Sequence, residues 1–201
     1  MYLSKVILNP NDKGIVWNLT NSNYMHKKVM SAFLDDIEHR RDARKQLGIL
    51  FRLDINPHEI ILYVQSKVEP NWFGKTWVLN AKVKCLDSIV ETFKVGMVLN
   101  FNLKCTPYYT GEDNKLHSFN SENEKIVWMQ KKEKYNGFKL LTCESRRLDE
   151  RINNIGGNDI SLYVTELSGV LEITDVEKFI KFYSDGVGRQ KAYGMGMLML
   201  F

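Results

Sequence analysis

The chain is predicted to be an α+β protein built from two βαββαβ units, and three observations predict it. Short apolar runs rich in Val, Ile and Leu are interleaved with stretches whose apolar residues recur every three or four positions, so strands and helices alternate. The final segments run strand, helix, glycine loop, strand, which is how a βαββαβ unit ends. With 201 residues and 44% hydrophobic content the chain can bury a core in each of two units of about 90 to 100 residues.

The elements follow in order. "YLSKVIL" (Tyr2 to Leu8) reads as a strand, and Pro10, Asn11, Asp12 and Gly14 break it into a loop. A helix follows, capped by Asn21 or Ser22, with Met25, Val29 and Phe33 as its apolar stripe. "LGILFRLDI" and "EIILYVQS" read as two strands joined by a turn at Asn56 and Pro57. Pro70 and Gly74 then interrupt the pattern, a short helix is expected around "LDSIVETFK", and "MVLNFNLKC" (Met97 to Cys105) closes the first unit as its last strand. The first domain is accordingly set at 1–108 and the second at 109–201.

"YYTGEDNKLHSFNSEN" has the polar composition of a linker or long loop between the halves. Ser121 and Glu124 form a capping-box sequence that opens a helix with Ile126, Met129 and Gln130 on one side and Gly137 as its C-terminal stop. "FKLLTCES" and "SLYVTELSGVLEI" supply the next strands, the latter as one or two. Asp175 starts the helix "DVEKFIKFYSDG", and "GMLMLF" is the final strand.

Composition narrows the function classes. A net charge of +4 permits a polyanionic partner without demanding one. Three cysteines without a C-x-x-C pair suggest neither a disulfide framework nor a zinc site, and a reducing cytoplasm is the simplest setting. The first residues form a strand pattern, not a signal peptide, and no apolar run approaches the ~18 residues of a membrane helix, so no membrane association is expected. His39, His58 and His117 are isolated from one another and no H-x-E or H-E-x-x-H motif occurs. No metal and no cofactor are expected, and hydrolysis or transesterification here would proceed without a metal.

Of the titratable residues, His26 stands out. It lies one position, about 100°, from the Met25 stripe, at the boundary of the buried face, with Lys27 and Lys28 beside it. An imidazole there suits proton transfer at a phosphodiester; a boundary histidine satisfied by neighbouring backbone explains the same letters. Tyr24 could orient a reacting oxygen, but residues two apart on a helix do not face each other, and half-buried packing is its other reading. Arg146, Arg147 and Arg151 in "CESRRLDER", before the turn-forming "NNIGGND", suit a hairpin tracking phosphates or a solvated strand edge of mixed charge. The closing "GVGRQKAYGMGMLML" places Gly186, Gly188, Gly194 and Gly196 around Arg189 and Lys191, as an anion-binding loop would. It follows a helix and lacks the P-loop Gly-Lys-Ser/Thr, which favours a longer polyanion over a mononucleotide.

"MYLSKVIL", "YMHKKVMSAF", "IVWMQKK" and above all "SGVLEITDVEKFIKFYSDGVGRQKAYGMGMLML" together resemble the CasE family of CRISPR repeat-processing endoribonucleases, within the RAMP superfamily. The resemblance spans nearly the whole chain. It implies tandem ferredoxin-like (RRM-like) domains and metal-independent cleavage of precursor RNA at the 3′ base of a CRISPR repeat stem-loop, by attack of the RNA's own 2′-hydroxyl. It implies retention of the product within a Cascade-type complex of several subunits; the isolated protein is expected to be a monomer. The family's catalytic histidine falls on His26. Its tyrosine, three positions earlier, meets Asn23 in this sequence, with Tyr24 one step later, so Tyr24 and Lys28 are carried as catalytic candidates. Lys27, Arg146, Arg147, Arg189 and Lys191 are carried as RNA-binding candidates. A non-cleaving RAMP-type RNA-binding scaffold is the second reading. A generic RRM-like single-strand binder is the third, but its aromatic RNP pattern is missing.

Overall fold

The computed structural model describes residues 1–33, 42–153 and 162–201. They group into two compact units, Met1–Glu91 with Lys191–Gly194, and Thr92–Arg151 with Leu162–Gln190 and Met195–Phe201. His39, and the "NNIGGND" turn beyond Asn153, lie outside the described residues. Among the described residues no helix is long and apolar enough to cross a membrane.

The first unit runs β1 (Tyr2–Leu8), α1 (Lys13–Trp17), α2 (Ser22–Met30), α3 (Ala43–Gln46), β2 (Leu50–Ile55), β3 (Ile60–Ser66), β4 (Val78–Cys85) and α4 (Asp87–Val90). Its sheet has the order β2-β3-β1-β4 with every neighbour antiparallel, which is the ferredoxin-like arrangement. Asn21 caps α2, its side chain accepting from the Tyr24 backbone N–H at 3.1 Å. Met25, Val29 and Phe33 are buried with Val6, Leu62 and Val64, as the stripe predicted, although α2 ends at Met30.

The strand expected to close this unit, Met97 to Cys105, belongs to the other sheet, and β4 takes its place. β4 is an edge strand whose Lys82, Val83, Lys84 and Cys85 are all exposed, so it lacks the buried alternation that marks a strand. No helix joins β3 to β4. That connection instead inserts Trp72 and Trp77 into the core, their rings perpendicular at 5.9 Å, with Trp72 Nε1 donating to Ser4 Oγ at 3.0 Å.

The second unit runs β5 (Val98–Cys105), β6 (Tyr108–Thr110), β7 (Leu116–Ser118), α5 (Glu122–Asn136), β8 (Phe138–Ile152), β9 (Leu162–Ile173), α6 (Val176–Asp185) and β10 (Leu198–Leu200). The order β10-β5-β9-β8 repeats that of the first sheet. β5 pairs antiparallel with β9, from Val98 opposite Glu172 to Cys105 opposite Thr165. Phe138, the first residue of β8, packs against α6, its ring 4.9 Å from that of Phe182 and 6.4 Å from that of Phe179.

The polar stretch expected to be a linker is the β6–β7 hairpin. Tyr109 lies against His117 and Phe119 across it, and Asp113 meets His117 Nε2 at 2.9 Å. Its strands are only three residues each, too short for alternation to register, and Gly111, Asp113 and Asn114 between them give the stretch its loop-like composition. The Ser121–Glu124 capping box is present and Asp175 caps α6. On α5, Lys125 accompanies Met129 on the buried face in place of the expected Gln130, its ammonium paired with Glu122 at 3.0 Å.

Gly137 ends α5 in the left-handed region at φ 67°, where a Cβ would lie 2.2 Å from the Asp175 carbonyl oxygen and 2.9 Å from the Phe179 nitrogen. Both obstacles are backbone, so they cannot rotate away. Gly137→Ala is therefore expected to cost more than the ~1–2 kcal/mol of left-handed strain alone, seen as a lowered urea midpoint with unchanged slope. A midpoint equal to the parent's would show that the turn accommodates a side chain.

Candidate active site

Side chains leave α2 in three directions. Met25, Val29 and Met30 enter the core. Tyr24 and Lys28, one turn apart, pair with each other, the ammonium 5.2 Å from the Tyr24 ring centre and 5.9 Å from that of Trp77. The Tyr24 hydroxyl reaches α1, where a Cβ on Gly14 would lie 3.2 Å from it. His26 lies about 200° around the helix from both, so the structure does not bring these three candidates together. Lys27 is exposed.

His26 instead meets the closing loop. Lys191–Tyr193 form one 3-10 turn beside α2 and β2, and the Ala192 backbone stands close enough to the imidazole to favour its charged form. The Tyr193 ring stands edge-on to it, centres 6.5 Å apart. Gly194 permits this approach: at φ 87° it turns the chain over Phe51, whose ring edge would be only 3.0 Å from an added Cβ. Arg44, on α3, is the nearby cation. Its Nη1 donates to the Ile49 carbonyl at 2.8 Å, which engages one of its five N–H donors.

Burial first and the Arg44 charge second hold the His26 pKa below its usual value, while the Ala192 backbone opposes them. Burial and the neighbouring guanidinium outweigh the Ala192 backbone, so the neutral ring is favoured. Burial also lowers the Arg44 pKa, with Asp42 opposing, though a guanidinium stays charged at any physiological pH. The site thus holds a half-buried imidazole with a lowered pKa beside a fixed positive charge. Among the described residues no group of three or more His, Cys, Asp or Glu is placed to hold a metal ion.

The remaining candidates are spread over the second unit and the loop. Arg146 and Arg147 are neighbours on β8 and point to opposite faces. Arg146 is paired with Glu166 at 2.6 Å, while the Arg147 guanidinium lies 3.5 Å from the Tyr163 ring centre. Arg151 carries strand backbone at the end of β8. Arg189 lies 5.5 Å from the Tyr108 ring centre. Lys191 is half-buried in the 3-10 turn. Gly186, Gly188 and Gly196, like Gly194, have positive φ. Tyr193 and Arg44 were not singled out from the sequence: 167 and 18 positions from His26, they share no motif with it. The letters "KAYG" inside the glycine loop are the one signal that could have drawn attention to Tyr193.

Comparison with known proteins adds to this geometry. The family model described as "CRISPR associated protein" matches residues 1–201. The CRISPR-associated endoribonuclease Cse3 of Thermus thermophilus is 27% identical over 218 residues, covering 98% of each chain. The structure of Thermus thermophilus Cse3 bound to an RNA representing a pre-cleavage complex superposes with a TM-score of 0.79 at 23% identity, over 100% of this chain and 98% of that one. A chain of a CRISPR RNA-guided surveillance complex in its pre-nicking state gives a TM-score of 0.67 at 20% identity, over 100% of this chain and 99% of that one. At these identities the two structures share the fold.

Proposed function

This chain belongs to the CRISPR-associated protein family, and on that premise we propose that it is a metal-independent endoribonuclease that cuts precursor RNA at the 3′ base of a CRISPR repeat stem-loop. The observation that carries the reading is His26, half-buried against the closing loop with the Tyr193 ring edge-on to it, its pKa lowered by burial and by Arg44. A neutral imidazole accepts the proton of the 2′-hydroxyl. The freed oxygen attacks the adjacent phosphorus, the bond to the 5′-oxygen breaks, the departing oxygen takes a proton from water to become a 5′-hydroxyl, and a 2′,3′-cyclic phosphate is left while the imidazolium returns its proton to solvent. Arg44 offers its remaining N–H donors to the negative charge that grows on the phosphoryl oxygens, where preorganised charge is most effective.

Lys27, Arg146, Arg147, Arg189 and Lys191 would contact RNA phosphates, and Arg146 must first share or leave Glu166. Tyr24 and Lys28 are assigned to shaping α2, since they pair with each other and not with His26. The first unit would be the domain carrying the catalytic histidine and the second the domain that carries β8 and its arginines. The family resemblance read from the sequence further implies that the protein would stay on its product, join a surveillance complex, act in the cytoplasm and be a monomer when isolated. A non-cleaving scaffold is the weaker reading, because it has no use for a neutral imidazole beside a half-buried cation.

The test is cleavage of a cognate repeat RNA in excess EDTA followed by analysis of the product ends. One cut at the 3′ base of the stem, leaving a cyclic phosphate, is expected. A strict need for a divalent cation, or cutting of RNA that carries a 2′-deoxy sugar before the scissile phosphate, would sink the mechanism.

A further inference from the structure

The second unit contains a pocket of about 150 Å³ that His26 and its neighbours do not touch. It is lined by Thr106, Tyr108, Trp128, Lys132 and Arg189, with Gly188 at its wall. Two aromatic rings and two cations share this space, each cation resting on a ring: Lys132 Nζ is 4.9 Å from the Trp128 centre and Arg189 is 5.5 Å from the Tyr108 centre. Neither cation is ion-paired with a described carboxylate, so neither charge is neutralised. Thr106 is 8% exposed and its hydroxyl has no hydrogen-bond partner among the described residues. A buried hydroxyl without a partner is unfavourable and is satisfied when a ligand supplies one. At Gly188, with φ 77°, a Cβ would lie 3.2 Å from the Trp128 ring, so the glycine lets the loop close directly over that ring.

We propose that this pocket binds one unstacked ribonucleotide, its base against Trp128 and Tyr108, its phosphate between Lys132 and Arg189, and a base-edge group bonded to Thr106. The volume suits one planar ring and excludes a base pair, so the ligand is a single-stranded nucleotide and not the stem. Aromatic faces for a base and cations for its phosphate are what single-strand sites combine. This inference rests on reading the chain as an RNA-binding enzyme, and it adds a site where RNA outside the duplex is gripped.

Fluorescence anisotropy of a labelled single-stranded tetraribonucleotide with the full chain tests it. Saturable binding is expected, weakened about tenfold by Trp128→Ala and retained by Trp128→Phe. Arg189→Met and Lys132→Met should also weaken it, and they carry the test if Trp128→Ala does not fold. A 5′-mononucleotide should displace the tetranucleotide. Equal displacement by inorganic phosphate would mark a bare anion hole and overturn the proposal, as would equal affinity in all four variants or no saturable binding at all. Cleavage of a repeat stem-loop is assayed separately: if it fails while tetranucleotide binding and its loss in the variants persist, the processing reading falls and the pocket stands.

Discussion

Replacing His26 by alanine is expected to slow single-turnover cleavage of a repeat stem-loop by at least about 10²-fold, the ordinary scale of a lost general base, while RNA affinity stays near that of the parent. The separation of the two effects follows from where the ring sits. Met25, Val29 and Met30 keep α2 in the core, and alanine favours the helix, so the fold and the cationic surface remain. In the parent, burial and Arg44 hold the histidine below its usual 6.5. A base must be neutral to act, so kcat/KM should rise with pH through a midpoint below that value and then level off. A general acid would give the opposite slope, with activity falling as pH rises. Joint loss of binding and cleavage in His26→Ala would make the residue structural, and unimpaired cleavage would remove it from the chemistry.

Arg44→Gln should lower the cleavage rate at saturating RNA by about 10²-fold, the usual consequence of removing one preorganised donor from a developing oxyanion. Glutamine keeps an N–H donor that can reach toward the Ile49 carbonyl, which limits damage to the turn after α3. A second readout separates chemistry from structure. The Arg44 charge is one of the two causes that lower the His26 pKa, so its removal should move the acid midpoint of kcat/KM upward. A mere loss of folding would reduce the amplitude of the profile without moving its midpoint. A rate equal to the parent's would show that another cation bears the phosphoryl charge.

The elements legible in the sequence are those decided within a few residues. The Asn21 cap, the Ser121–Glu124 capping box and the Asp175 cap depend on bonds that span three positions, the Gly137 stop on one residue's left-handed backbone, and each appears where its letters stand. The β2–β3 hairpin was legible for the same reason, with Asn56 and Pro57 between two apolar runs. His26 itself was legible as a residue at the edge of a buried stripe next to two lysines.

By itself, then, the sequence determined the capped helices, the β2–β3 hairpin and the position of one imidazole at a helix boundary, because each is settled by local backbone bonding and by the period of apolar side chains, whereas β4 and the β6–β7 hairpin carried no such signal. Tertiary structure alone decided which sheet β5 joins, since the sheet a strand enters is set by its partners and not by its own letters; β4, exposed along an edge, also carries no buried alternation to announce it. It alone also decided what surrounds His26. Ala192 and Tyr193 arrive from the far end of the chain because Gly194 can turn over Phe51, and Arg44 arrives on a four-residue helix anchored to Ile49. These approaches depend on packing between segments up to 167 positions apart, and no spacing within one segment encodes them.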